Sequence, residues 1–369
     1  MTDLDLQLNT KINPDVLAGI EKLSADFSGA EPFRHAVIDN FLTDDFCAQL
    51  IAEFPEFDEK LALNEDGFVG AKAVREKIRG IGPAFLSLDE LVKSEAFRDL
   101  IGKITAIPDL QHDPHYFGGG THENRQGQGL DPHVDFNYHP ITRQHRRLNV
   151  IVYLNPEWDT AWGGALQLHR DPYLPPSKDE IKLVNPLANR CVIFETTENS
   201  WHGFKRIDLP ADKKHLSRKS FALYYYTENR PTAETAPEHS TIYVQEHLPE
   251  WYHPGMTLDG DELQNIRVAV ASRNQHLKRL YRNIMDLNQQ IHDLRYRLDT
   301  ELMQEALPDV ASEGQETFSV DGKDEQEANI RRLTAQLQKS QMHVKELETS
   351  TSWRITAPLR ALKRTFSKS

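Results

Sequence analysis

Cysteine is scarce: Cys47 and Cys191 are the only two in 369 residues. That excludes a disulfide-stapled scaffold and predicts two buried thiols in a reducing compartment. Long apolar runs are missing too. None approaches the roughly 18–20 residues that cross a bilayer. The first fifteen residues, MTDLDLQLNTKINPD, are polar and acidic. They lack the basic start and apolar stretch of a signal peptide, so a cytoplasmic location is expected. Positive charge is in deficit, with 43 Lys and Arg against 56 Asp and Glu and a net charge of -13. A protein whose task is to hold a phosphate backbone needs clustered cations, so nucleic acid is not an expected partner. Gly and Pro are not in excess, which excludes wholesale disorder. The length suits two to three domains.

What is present falls into regions of different pattern. Residues 1–30 form a polar segment with a helix expected near 14–26. Residues 31–230 read as a globular domain. It opens on a short strand in FRHAVIDNFL and a helix over about 43–53 begun by Thr43, with Asp44 and Asp45 in its first turn. Beyond about 110, short runs at 148–154, 165–169, 191–195 and 220–227 are rich in β-branched and aromatic residues and separated by Gly, Pro, Asn and Asp. Trp162 with Gly163 and Gly164 predicts a tight turn. The fold class expected is α+β, a sandwich or barrel of strands braced by N-terminal helices.

The chemistry gathers around Leu130-Asp131-Pro132-His133-Val134-Asp135. Residues two apart on a strand share a face, so His133 and Asp135 can offer a nitrogen and an oxygen to one ion. His202 lies 67 residues beyond Asp135, in SWHGF, after the apolar run 191–195. Two His and one carboxylate on one face of an octahedron leave three positions open, the geometry of non-haem Fe(II) oxygenases. With sixteen His in the chain, H-x-D alone is a weak signal. Arg218 and Ser220 strengthen it, since they share a strand face 16 and 18 residues after His202. A guanidinium holds a carboxylate through two parallel bonds and a hydroxyl adds a third. Asn149 and Tyr153 share a face of the strand over 148–154. Each is a candidate to bind a 2-oxo acid or to serve as a hydrogen-bonded core residue. Cys191 and Trp201 read as packing, Lys219 as a surface cation. His112, His115 and His122 read as solvated loop residues that could line a substrate mouth.

Taken together, PHVDFNYH, NVIVYLNPEWDTAWGGALQLH, NRCVIFETTENSWHGF and SRKSFALYYYT, with the opening EPFRHAVIDNFLTDDFCAQL, resemble the prolyl-4-hydroxylase-like branch of the 2-oxoglutarate/Fe(II) dioxygenases. The resemblance covers about 31–230. It implies a double-stranded β-helix, or jelly roll. It implies Fe(II) on His133, Asp135 and His202, with 2-oxoglutarate and O2 as co-substrates and ascorbate as a candidate reductant. Arg218 would pair with the far carboxylate of 2-oxoglutarate, helped by Ser220, Tyr153 or Asn149. The implied reaction is hydroxylation coupled to decarboxylation of 2-oxoglutarate to succinate and CO2. Relatives that halogenate carry a small residue where Asp135 stands, so hydroxylation is expected. The substrate classes in view are peptidyl proline, a small molecule, or a sugar or glycan.

The remainder reads as linker over 231–262, coiled coil over 263–302, polar linker over 303–328, a second heptad helix over 329–351 and a basic amphipathic tail over 352–369. Leu263, Ile266, Val270, Arg273, Leu277, Leu280, Ile284, Leu287, Ile291, Leu294 and Leu298 step by three and four, the period of a coiled-coil seam. Either a hairpin or pairing with another chain would satisfy it. The tail holds five basic residues and no acids between Ser352 and Ser369. That suits peripheral contact with an anionic membrane face, or docking on an acidic partner. STSWRITAPLR, residues 350–360, which overlaps the start of the tail, resembles a segment that follows coiled coils in bacterial polysaccharide-assembly enzymes. Two other readings compete: a cupin-like metalloenzyme with no 2-oxo acid, and a coiled-coil scaffold with an inactive barrel. Arg218 with Ser220 argues against the first, and the intact set of four residues against the second.

Overall fold

The computed structural model describes residues 8–62, 72–244 and 252–306, with 331, 334, 335 and 338. It divides into two compact units, 1–252 and 253–369.

The first unit opens with α1 (Pro14–Ala18) and α2 (Ile20–Ser28). Asn13 caps α1 by accepting from the Asp15 amide. After β1 (His35–Ile38) comes α3 (Asp44–Ala52), entered through Thr43 as expected. β2 (Ala73–Arg75) precedes α4 (Pro83–Lys93) and α5 (Glu95–Thr105). Pro83 sits in the first turn of α4, where its missing N–H costs nothing. The Glu53 carboxylate accepts from the Ala84 amide at 2.8 Å and serves as a remote cap. Ser94 caps α5 through the Phe97 amide, and Phe97, Leu100, Ile101 and Ile104 form its buried stripe.

The strands that follow are β3 (Gln111–His112), β4 (Gly120–Asn124), β5 (Leu130–Val134), β6 (His145–Tyr153), β7 (Leu166–His169), β8 (Ile181–Val184), β9 (Cys191–Glu195), β10 (Trp201–Phe204), β11 (Arg218–Thr227) and β12 (Ile242–Tyr243). They make two antiparallel sheets. One runs β1-β9-β6-β11-β4-β2, with β3 beside β11; the other runs β12-β5-β10-β7-β8. From β4 to β11 the chain winds between the two sheets, which is the double-stranded β-helix. β11 lies between β6 and β4, so Lys219 is on a central strand rather than at an edge. It is half-buried, with its ammonium over the Phe54 ring.

The period of two sorts each strand of the larger sheet. Leu148, Val150, Val152, Cys191, Ile193, Phe221, Leu223 and Tyr225 face the helices and pack with Phe27, Phe85 and Phe97. Tyr153, Val192 and Phe194 face the other way, against Leu166, Leu168 and Val184 of the smaller sheet. Cys47 and Cys191 are both free and buried.

The second unit contains one long helix, α6 (Gly260–Ala306). Ile284 and Ile291 on its heptad stripe are buried, whereas Leu263 and Val270 are exposed. No described helix is long and apolar enough to cross a membrane. The stripe positions of the second heptad series and the basic tail lie outside the described residues.

Candidate metal centre and co-substrate clamp

β5 and β10 are neighbours in the smaller sheet, and their register sets His202 opposite His133. Both imidazoles point between the sheets, with ring centroids 4.2 Å apart. Asp135, one residue past the end of β5, joins them. Its Oδ1 lies 3.8 Å from His133 Nε2 and its Oδ2 3.5 Å from His202 Nε2. Among the described residues these three form a group whose ligand atoms all lie within 4.8 Å of one another.

The hydrogen bonds behind the ligands fit a metal. His133 Nδ1 is 2.9 Å from the Asp131 carbonyl, and His202 Nδ1 is 2.9 Å from the Ser200 carbonyl. A carbonyl only accepts, so each Nδ1 carries the proton and each Nε2 turns its lone pair inward. Tyr243 of β12 stacks on His133 at 5.1 Å and Phe194 packs on His202 at 4.7 Å, which fixes both rings. Burial, then the neighbouring His202, pushes His133 down to about 3, and burial also lowers His202. Burial alone would raise Asp135. Arg146, His202, His133 and the Asn149 amide outweigh it and hold the carboxyl below its usual range. The centre is therefore two neutral imidazoles and one carboxylate, the donor set a divalent metal takes.

Arg218 stands on the facing wall. Its Nε donates to the Gly164 carbonyl at 2.7 Å and its Nη2 to the Tyr153 hydroxyl at 3.0 Å. Phe204 lies under the guanidinium at 4.3 Å. Among the described residues Arg218 forms no ion pair, and burial lowers its pKa. A buried cation without a counter-ion is suited to receive an anionic ligand. Gly164 is required for this contact. It has φ of +70°, and a Cβ there would sit 3.2 Å from Arg218 Cδ and 3.1 Å from Trp158. Ser220 is buried on the same face, in register with Tyr153 and His122.

The fold brings His133, Asp135 and His202 together on one interior wall and Arg218, Ser220 and Tyr153 on the other. Asn149 is also there, but in a different setting from the co-substrate pocket. Its amide Nδ2 donates to Asp135 Oδ2 at 2.8 Å, and its Oδ1 accepts from Arg146. The hydrogen-bonded core residue is the reading the geometry matches. Trp201 and Cys191 are packing residues, as expected. His122 corrects the expectation of a solvated loop: it lies buried in β4, with Nε2 3.0 Å from the Gly118 carbonyl. His112 is half-buried in β3, and His115 is exposed.

Three residues at the centre escape sequence reasoning: Arg146, Tyr243 and Lys72. Arg146 is 1% exposed and reaches Asp135 Oδ2 at 2.9 Å. By strand parity with Asn149 it belongs on the opposite face. The register between β6 and β11 slips at Tyr225/Tyr226, and this bulge turns Arg146 inward while Arg147 pairs with Glu195. Lys72, just before β2, is half-buried and pushed down to about 8 by burial, against the pull of Asp135.

Residues 119–226 match the family model described as the 2OG-Fe(II) oxygenase superfamily. The chain is 24% identical over 266 residues to prolyl 3-hydroxylase OGFOD1 of Mus musculus, covering 67% of this chain and 43% of that protein. It thus spans under half the length of that relative. Two solved structures are also similar. One is a prolyl hydroxylase of Trichoplax adhaerens in complex with a hypoxia-inducible-factor peptide fragment. It is 18% identical, with TM-score 0.40 over 58% of this chain and 94% of that one. The other is a prolyl-4-hydroxylase of Pseudomonas putida, 16% identical, with TM-score 0.36 over 57% and 99%.

Proposed function

We propose, for a chain that carries a 2OG-Fe(II) oxygenase domain, that it hydroxylates an organic substrate at the expense of O2 and 2-oxoglutarate. The observation that carries this reading is the pairing of two sites between the same two sheets, where Lys72 and His122 each feel the charge of both Asp135 and Arg218. His133, Asp135 and His202 would hold Fe(II), and Arg218 with Tyr153 would hold the far carboxylate of 2-oxoglutarate. A bound Fe(II) supplies the oxygen chemistry, with 2-oxoglutarate leaving as succinate and CO2.

The chain's own residues do the rest. The Asp131 and Ser200 carbonyls keep the two imidazoles in the tautomer that binds metal. Arg218 and the Tyr153 hydroxyl, itself anchored on Arg218, fix the co-substrate at its remote end. The apolar wall of Phe194, Leu168 and Phe204 excludes bulk water from the reacting centre. Ser220 is positioned to add a hydrogen bond to the same carboxylate.

For the substrate, peptidyl proline and a sugar or glycan are the two readings. The named relative is a prolyl 3-hydroxylase, which favours the first. The polysaccharide-assembly-like segment over 350–360 favours the second. On that second reading, the heptads of 263–302 and the basic tail would recruit the oxygenase to an assembly complex at the inner membrane face.

The test needs no substrate. Metal-free protein mixed anaerobically with Fe(II) and 2-oxoglutarate is expected to develop the visible charge-transfer band of the chelate. The band is expected to disappear in His202→Ala. Iron binding with no band would move the assignment to a cupin-like metalloenzyme.

A further inference from the structure

Asp135 has two oxygens, and a metal ligand set with open positions needs only one of them. The distances to the imidazoles do not choose between them, since both oxygens lie within 4 Å of a ligand nitrogen. The hydrogen bonds do. Oδ2 accepts from Arg146 Nη2 at 2.9 Å and from Asn149 Nδ2 at 2.8 Å. A carboxylate oxygen carries two in-plane lone pairs, and two donors use both. No hydrogen bond to Oδ1 is present among the described residues.

The clamp is built rather than incidental. Arg146 Nε and Nη2 both donate to Asn149 Oδ1, at 3.1 and 2.7 Å. That fixes the amide: turned over, its NH2 would face a guanidinium, two donors against each other. So Asn149 must offer its own donor to Asp135. The guanidinium is held flat between Tyr224 at 3.6 Å and Phe136 at 4.5 Å. The β-bulge beside Arg146, with Arg147 as the extra residue of β6, places it there.

We infer that Arg146 and Asn149 are positioning residues that reserve Asp135 Oδ1 for the metal, hold the carboxylate monodentate and so keep open the coordination position that 2-oxoglutarate chelation requires. This rests on the metal reading of the site. Without the clamp, Asp135 is free to rotate. It then either leaves the metal or takes it through both oxygens and occupies a position the co-substrate needs.

The experiment titrates Mn(II) into metal-free full-length protein and follows free Mn(II) by its EPR signal. It is run on wild type, Asn149→Ala, Arg146→Gln and Arg218→Ala. 2-Oxoglutarate binding to the Mn(II)-saturated proteins is then measured by calorimetry. Partners behind a metal ligand typically contribute about 10–100-fold to metal affinity. Asn149→Ala is expected to weaken Mn(II) binding by about 10-fold. At saturating Mn(II) it should also weaken 2-oxoglutarate by a similar factor, though Arg218 and Tyr153 are intact. Arg218→Ala is expected to hold Mn(II) as wild type does and to lose 2-oxoglutarate. Wild-type affinities for both ligands in folded Asn149→Ala would overturn the inference while leaving the metal reading in place. Arg146→Gln, shorter and uncharged so that it no longer reaches Asp135, is expected to show the same two losses and decides the matter if Asn149→Ala does not fold. Failure of wild type itself to bind Mn(II) would sink the metal reading and this inference with it.

Discussion

Arg218 is the residue on which the co-substrate assignment turns. Its two bonded nitrogens are spent on Gly164 and Tyr153, which leaves Nη1 and the second Nη2 hydrogen for a ligand. Charge-assisted hydrogen bonds contribute roughly twice what neutral ones do. Arg218→Ala should therefore raise the 2-oxoglutarate dissociation constant by about 100-fold or more, and Tyr153→Phe by about 10-fold. Both are read by titrating the Fe(II) protein and following the charge-transfer band. An unchanged constant in Arg218→Ala would place the far carboxylate elsewhere. At this scale much was legible. His133 and Asp135 share a face because they are two apart, and Arg218 and Ser220 for the same reason. Arg146 was not legible, because a bulge breaks the parity on which such reasoning depends. His122 was misread because the Gly-rich stretch before it looks like loop, yet β4 runs between β11 and β2 and is buried.

Pairing of elements converts these side chains into a centre. β10 must lie tight against β5, and at Gly203 the two backbones leave no room for a side chain. A Cβ there would meet the Leu130 carbonyl at 2.5 Å and Pro132 N at 3.0 Å. Gly203→Ala is expected to part the strands, move His202 away from His133 and weaken Mn(II) binding by about 10-fold or more. Retention of wild-type affinity would show that the β5–β10 spacing is not what sets the site. The helical layer acts differently. Phe97 of α5 is 1% exposed and packs against Phe41 and Tyr225. Phe97→Ala should cost about 3–5 kcal/mol of stability through the lost burial and the cavity left behind. It lies on the far face of the larger sheet, so metal affinity of the folded protein should stay within twofold. Urea unfolding and Mn(II) titration on the same sample separate the two effects.

For the molecule as a whole, buried imidazoles set the response to acid. Burial holds His112 at about 4 and His133 at about 3, and puts His122 well below its ordinary value. The unfolded chain takes up protons at these residues near pH 6.5 and the native one does not, so stability falls as pH falls. His239 runs the other way: Glu198 raises it against burial, so its contribution is present at low pH and lost as pH rises through its folded value. Burial lowers His35 and His202 as well, so five histidines oppose one. The urea midpoint of the metal-free protein should therefore be lower at pH 5.0 than at pH 7.5, and an equal or higher midpoint would contradict the burial of these rings. A divalent metal at 100 times its dissociation constant should add about 2.7 kcal/mol at pH 7.5 if it binds only the native state.

The sequence by itself determined the local chemistry. It specified which side chains share a strand face, where helices begin, where a heptad stripe runs, and that four residues of the right kinds occur in the right order. Those properties follow from periods of two and of three to four and need no knowledge of neighbours. Tertiary structure decided what touches what. It set β12 beside β5 so that Tyr243 stacks on His133, and turned Arg146 inward through a bulge. It also moved Asn149 from the co-substrate pocket to the metal carboxylate. Each of these depends on register between strands distant in the chain. Register is fixed by the summed packing of both sheets, and no single segment encodes it.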